Sequence, residues 1–197
     1  MKYAFTIACC ILLFSNCFDA TKKQNKNSFE FEKKLVDRGN LIANTTFRTL
    51  GSNLQKAMKE GGVSNAVKYC NLAASPLVDS LEQVHQVKIK RTSLKTRNQN
   101  NKPTVEEKLQ LEKYHEQFEK QLKLNPVIRK HEDEFVYYAP IHVMPLCQKC
   151  HGTVGKELKK EDYQTIQSLY PNDRAVNYNS GDLRGMWSIN FIEPMKN

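Results

Sequence analysis

The chain has 197 residues, with 30 Lys and Arg against 21 Asp and Glu and a net charge of +9. That length suits one domain and allows a core without disulfide staples, and no internal repeat is visible. The basic balance invites a nucleic-acid reading. The two signs of charge are interspersed, however, and the N-terminus reads as an export signal. The charge is therefore read as a solvated basic surface, or as one that docks an acidic redox partner or anionic headgroups, with no nucleic acid.

Residues 1–17, MKYAFTIACCILLFSNC, set Lys2 before an apolar run from Tyr3 to Phe14. The run is too short for a permanent membrane helix and fits the h-region of an export signal. Removing it with Lys2 leaves a charge of +8 from the stated +9. Its end, Leu13-Phe14-Ser15-Asn16-Cys17, resembles the cleavage box of bacterial lipoproteins, although Asn16 stands where Gly, Ala or Ser is commoner. That resemblance implies lipid on Cys17 and a membrane-anchored lipoprotein on the periplasmic side. Residues 18–28 read as a polar tether, and 29–197 as one domain.

A helix is predicted over 29–60, with Phe31, Leu35, Ile42, Leu50, Leu54 and Met58 in approximate helical phase. Gly61-Gly62 ends it. Ser64 caps a second helix, with Val67, Cys70, Ala74, Val78 and Leu81 along one face. Pro76 is expected to kink or restart that helix. The alternating run 87–92 reads as a strand, and 97–103 as a loop. Thr104 caps a helix over about 105–123, with Glu107 placed for a capping box. Residues 134–143 are strand-like, with Pro140 suggesting an edge or a bulge. A short helix fits 155–169, and 185–191 reads as a last strand. The order is α+β, with helices mostly first and a small antiparallel sheet later.

Six cysteines are present. Cys9 and Cys10 leave with the signal and Cys17 is assigned to lipid, so Cys70, Cys147 and Cys150 remain. An odd number suits no disulfide framework. Cys147 and Cys150 lie in CQKCHG, residues 147–152. A structural zinc site needs four ligands, and the sequence holds no second CxxC and no His-x₃₋₅-His pair. A thioredoxin-like pair opens a helix after a buried strand and does not require the following His. Cys-x-x-Cys-His is the signature of c-type haem attachment, and export agrees with it. Cys147 and Cys150 are then the thioether tethers and His151 the proximal iron ligand.

The second iron face has several candidates. Cys70 lies on an apolar helical face, where a ligand and an inert core thiol look alike. His85 is the best histidine rival. His115 and His131 sit in charged stretches, and His142 alternates with Ile141 and Val143. Met144 is on the approach to Cys147, while Met58 and Met186 read as core. Arg91, Arg97, Asn98 and Arg184 are candidates to hold the haem propionates, since Arg forms bidentate bonds to carboxylates. Asn98, Asn100 and Asn101 also suit turns. Trp187 and Tyr137 or Tyr138 line the pocket or pack in the core.

Val67-Lys68-Tyr69-Cys70 after the Gly-Gly turn, RTSLKTRNQNNKP (91–103), YYAPIHV before CQKCHG, and SGDLRGMWSI (180–189) resemble the PAS-like c-type haem domain family. The resemblance spans about residues 30–192. It implies a sheet-and-helix sensor fold with one covalent haem, and an axial pair of the motif His and a Cys thiolate from the early helix. Carried over, these are His151 and Cys70. The role expected is a redox or diatomic-gas sensor, with a membrane-anchored electron-transfer cytochrome as the alternative. A haem enzyme is set aside, because placed acid–base groups are not visible.

Overall fold

The computed structural model describes the backbone of residues 7–132 and 134–192, and side chains from residue 28 onward. The predicted signal segment and the Cys17 thiol lie outside the described side chains. Among the described residues, no helix is long and apolar enough to cross a membrane.

Helix α1 is Ile7–His85, so the 18–28 stretch read as a tether is drawn into it. Extending a formed helix adds a hydrogen bond for each residue fixed, which makes propagation easier than a new start. The backbone leaves helical geometry at Gly61 and Gly62. Gly62 has φ 70°, a conformation that favours glycine. Arg38 Nη2 donates to the His85 carbonyl at 2.8 Å, and Asn65 Nδ2 donates to the Ala57 carbonyl at 2.9 Å. Those cross-links make 29–60 and 63–85 an antiparallel hairpin closed by the two glycines. Pro76 neither breaks nor restarts the helix. It deprives the carbonyl of residue 72 of its donor, and Leu72 is 76% exposed, so the lost bond falls on the solvent side of the helix.

The sheet has four antiparallel strands in the order β1-β4-β3-β2. They are β1 (Val87–Thr92), β2 (Val127–His131), β3 (Glu134–His142) and β4 (Leu183–Phe191). β2 is an addition to the sequence reading: Arg129, Lys130 and His131 give it no apolar alternation, and only Ile128 is buried. Pro140 is on a central strand, but β2 pairs with β3 only as far as Tyr138. Its missing N–H thus falls where β3 has lost that neighbour, next to an irregularity at Ile141 and His142.

Side-chain alternation gives the sheet two buried faces. Tyr137, Ala139, Trp187 and Ile189 pack with Leu35, Ile42 and Ala43 of the hairpin. Val136, Tyr138 and Met186 pack with Leu111 and Tyr114 of α2 (Val105–Glu119). α2 starts with the predicted capping box: Glu107 N donates to Thr104 Oγ1 at 3.2 Å and Thr104 N donates to Glu107 Oε2 at 2.9 Å. It ends at Glu119, short of the expected 123. The chain from β3 to β4 carries α3 (Gln148–His151) and α4 (Lys160–Leu169). Leu158 and Ile166 of this region pack on Val67, just beyond the hairpin turn.

Candidate functional site

Pro145 opens a 3₁₀ turn that runs into α3, with Cys147 at the junction. Cys147 and Cys150 are three residues apart on a helical turn, so both thiols share one face. Gly152 N donates to the Gln148 carbonyl at 2.8 Å and closes the turn. The loop before β4 wraps this helix. Tyr178 N donates to the His151 carbonyl at 2.9 Å, and Asn177 N to the Gly152 carbonyl at 3.1 Å.

That loop also sets the histidine. His151 Nδ1 lies 2.7 Å from the Ala175 carbonyl oxygen. A carbonyl only accepts, so Nδ1 carries the proton and Nε2 keeps its lone pair. Burial pushes the His151 pKa well down, and Arg184, Arg97 and Arg91 push the same way. The imidazole is therefore neutral and fixed in the tautomer that ligates through Nε2. Tyr178 packs edge-on against the ring, with centroids 6.4 Å apart.

Cys70 comes to the same place from the second arm of the hairpin. Val67, one turn before it, shares a cluster with Cys150, Val154 and Ile166. Burial raises the Cys70 pKa, opposed by the charges of Arg91 and Arg97. Cys150 is pushed up to about 11 by burial, with Arg97 opposing and the Cys70 charge adding to the rise. Cys70, Cys147 and Cys150 are all free thiols.

Arg91 and Arg184 are crowded by protein, and burial is the leading cause lowering both pKa values. Solvent nevertheless reaches both side chains. Arg91 stacks over Trp187 at 5.9 Å, Arg184 over Tyr178 at 5.3 Å, and Lys95 Nζ over the same ring at 5.1 Å. Arg91 has no ion-pair partner among the described residues, and Arg184 Nη1 donates to the Lys95 carbonyl at 3.1 Å. A cationic wall beside two thiols and a neutral histidine fits an anionic, carboxylate-bearing iron macrocycle.

Arg97 is used differently. Its Nε and Nη2 grip Asp173 at 3.2 and 3.1 Å, and Nη2 also donates to the carbonyls of Cys150 at 2.6 Å and Ala175 at 3.2 Å. Asn98 turns its side-chain oxygen to Asn100 N at 3.0 Å and caps the 3₁₀ turn Gln99–Asn101.

The other ligand candidates are spread out. His85 is fifteen residues from Cys70 along α1, roughly 22 Å at 1.5 Å per residue. Met186 is fully buried on the α2 side of the sheet, and Met144 is 44% exposed. His142 Nδ1 faces the Gly181 carbonyl at 3.0 Å, and His131 Nε2 faces Tyr138 Oη at 3.4 Å. Tyr137 hydrogen-bonds Asn40 at 2.7 Å within the hairpin-side core, and Tyr138 packs on the opposite face. A cleft of about 430 Å³ beside α2, lined by Lys113, Tyr114 and Arg129 among others, contains none of the predicted site residues.

Sequence reasoning missed Asp173, Ala175 and Tyr178. Asp173 is 76 residues from Arg97, and Ala175 acts through its backbone carbonyl, so neither leaves a local sequence signal.

Fold and site together define an α+β protein in which a CxxCH turn, a half-buried thiol and arginine side chains meet beside an antiparallel sheet. Residues 19–191 match the family model described as Tll0287-like, and the chain belongs to that family. Among solved structures it is similar to the one titled "Crystal structure of the cyanobacterial heme-protein Tll0287". That match has a TM-score of 0.58 and 21% identity, covering 84% of this chain and 96% of that one. At that identity the likeness establishes the fold. No curated protein matches the chain.

Proposed function

We propose that this chain is an exported mono-haem c-type protein, tethered through Cys147 and Cys150, that serves as a redox or diatomic-gas sensor. The observation that carries the reading is the 2.7 Å hydrogen bond from His151 Nδ1 to the Ala175 carbonyl, which leaves Nε2 free beside the paired thiols. Metal-bound histidines characteristically hold their other ring nitrogen in this way. Membership of the Tll0287-like family and likeness to a haem protein support the same reading.

When bound, the haem supplies a one-electron Fe(III)/Fe(II) couple and an iron face for small ligands. His151 through Nε2 and Cys70 as a thiolate would hold the iron, and metal binding would keep the Cys70 thiol deprotonated. Arg91 and Arg184 would supply counter-charge to the propionates. Lipid on Cys17 fixes the domain to the periplasmic side of a membrane. The role is signal input rather than catalysis, passed to a redox or signalling partner.

The test is a pair of ferric and ferrous absorption spectra, with and without carbon monoxide. A sensor built this way should take up carbon monoxide once reduced. A ferrous spectrum that carbon monoxide leaves unchanged, with fast electron exchange, would make the chain an electron-transfer cytochrome instead.

A further inference from the structure

The oxygen that holds His151 is shared. Ala175 O accepts from His151 Nδ1 at 2.7 Å and from Arg97 Nη2 at 3.2 Å. A carbonyl oxygen has two lone pairs and can serve both donors, while Nη2 shares its two hydrogens among the oxygens of Ala175, Cys150 and Asp173. One of these donors is a cation held in place. Asp173 grips its fork through both carboxylate oxygens, and Asp173 Oδ1 also accepts from Ala175 N at 2.8 Å. The ion pair is buried, with 13% of the Arg97 side chain exposed and 1% of Asp173. Arg97 Nη2 further binds the Cys150 carbonyl at 2.6 Å. A buried ion pair is weak evidence of stability, because desolvation offsets the attraction. What this one does is fix the CxxCH turn, the histidine's acceptor and a positive charge as a single unit.

Resting on the functional reading above, we infer that Arg97 is a positioning residue that raises the reduction potential of the iron by competing with His151 for the Ala175 carbonyl. A cationic donor on the same oxygen draws electron density from it and weakens its pull on Nδ1–H. The imidazole then has less imidazolate character and donates less strongly to iron. A weaker donor disfavours Fe(III) relative to Fe(II). The guanidinium charge acts in the same direction. Asp173 is the part that keeps the fork aimed, so the device needs both residues.

The test uses the full haem-loaded chain with Arg97→Gln, and with Arg97→Lys as the conservative variant. Three readouts are taken: haem retained after acid-acetone extraction, the reduction potential, and the proton resonance of His151 Nδ1–H in the diamagnetic carbon monoxide form. Arg97→Gln should keep the haem and move the Nδ1–H resonance downfield as its hydrogen bond strengthens. It should favour Fe(III) about tenfold, a fall of about 59 mV for a one-electron couple. Arg97→Lys should shift both readouts the same way by less. Retained haem with neither potential nor resonance moved in either variant overturns the inference and leaves the functional reading intact. A fall in potential without movement of the resonance also overturns it, by reducing Arg97 to a bare charge. So does loss of haem from both variants with the fold kept, because Arg97 would then be needed for attachment. Absence of covalent haem from the unsubstituted protein sinks the functional reading itself.

Discussion

Gly152 closes the CxxCH turn, and adding one methyl group there should damage the fold measurably. A Cβ on Gly152 would lie 2.6 Å from the Gln148 carbonyl oxygen and 2.7 Å from Glu157 Cβ. The first neighbour is backbone, and it accepts the Gly152 N–H at 2.8 Å. Relief therefore means opening the turn that aligns Cys147 and Cys150. Overpacking of this kind costs about 1–3 kcal/mol. In a chain this size each kcal/mol is worth about 2–4 °C, so Gly152→Ala should lower the melting temperature by about 2–12 °C. Gly51 is the control, since a Cβ there meets nothing within 4 Å and the residue is inside α1. Gly51→Ala should gain about 0.5–1 kcal/mol from lower chain entropy in the unfolded state, or about 1–4 °C. Thermal melts followed by circular dichroism on the two variants measure both signs. Equal melting temperatures for Gly152→Ala and the parent would show that the turn has slack, and the geometric argument would fail.

Three other outcomes are expected. Cys70→Ser should keep the haem but lose the thiolate-to-iron absorption of the ferric state. Its potential should rise by about 59 mV for each tenfold loss in preference for Fe(III), and cyanide should bind faster; an unchanged ferric spectrum and potential would make Cys70 a core thiol. Cys17→Ser should move the protein from the membrane fraction to the soluble fraction, and unchanged partitioning counts against the anchor. Burial holds Tyr137 and Tyr138 protonated up to about 12, against an ordinary value of 10.0. Their contribution is complete below pH 10 and lost as pH rises towards 12, at about 1.4 kcal/mol per pH unit for each tyrosine. Denaturant midpoints that stay flat from pH 9 to 11.5 would contradict it.

Periodicity and local chemistry carried much of the fold into the sequence. The hairpin is written in its apolar phase and in Gly61-Gly62, the α2 start in Thr104 and Glu107, and the central strands in the runs 134–143 and 185–191. β2 was hidden because its burial comes from a neighbour, β3, and not from its own alternation. The extent of α1 through Pro76 was hidden for a similar reason: solvent at Leu72 makes the lost hydrogen bond tolerable. At the site, CQKCHG and the odd thiol Cys70 were visible from residue types. The use of Arg97 was not, since its partners are one distant carboxylate and two backbone carbonyls. Those partners exist only once the loop carrying Asp173 and Ala175 has folded over α3.

The central claim is covalent haem on Cys147 and Cys150, and acid-acetone extraction of the purified protein tests it most directly. The pigment should stay with the polypeptide through extraction and denaturing electrophoresis, and Cys147→Ala with Cys150→Ala should release it. Pigment that partitions into the acetone from the unsubstituted protein, or a preparation that carries zinc in place of iron, would contradict it.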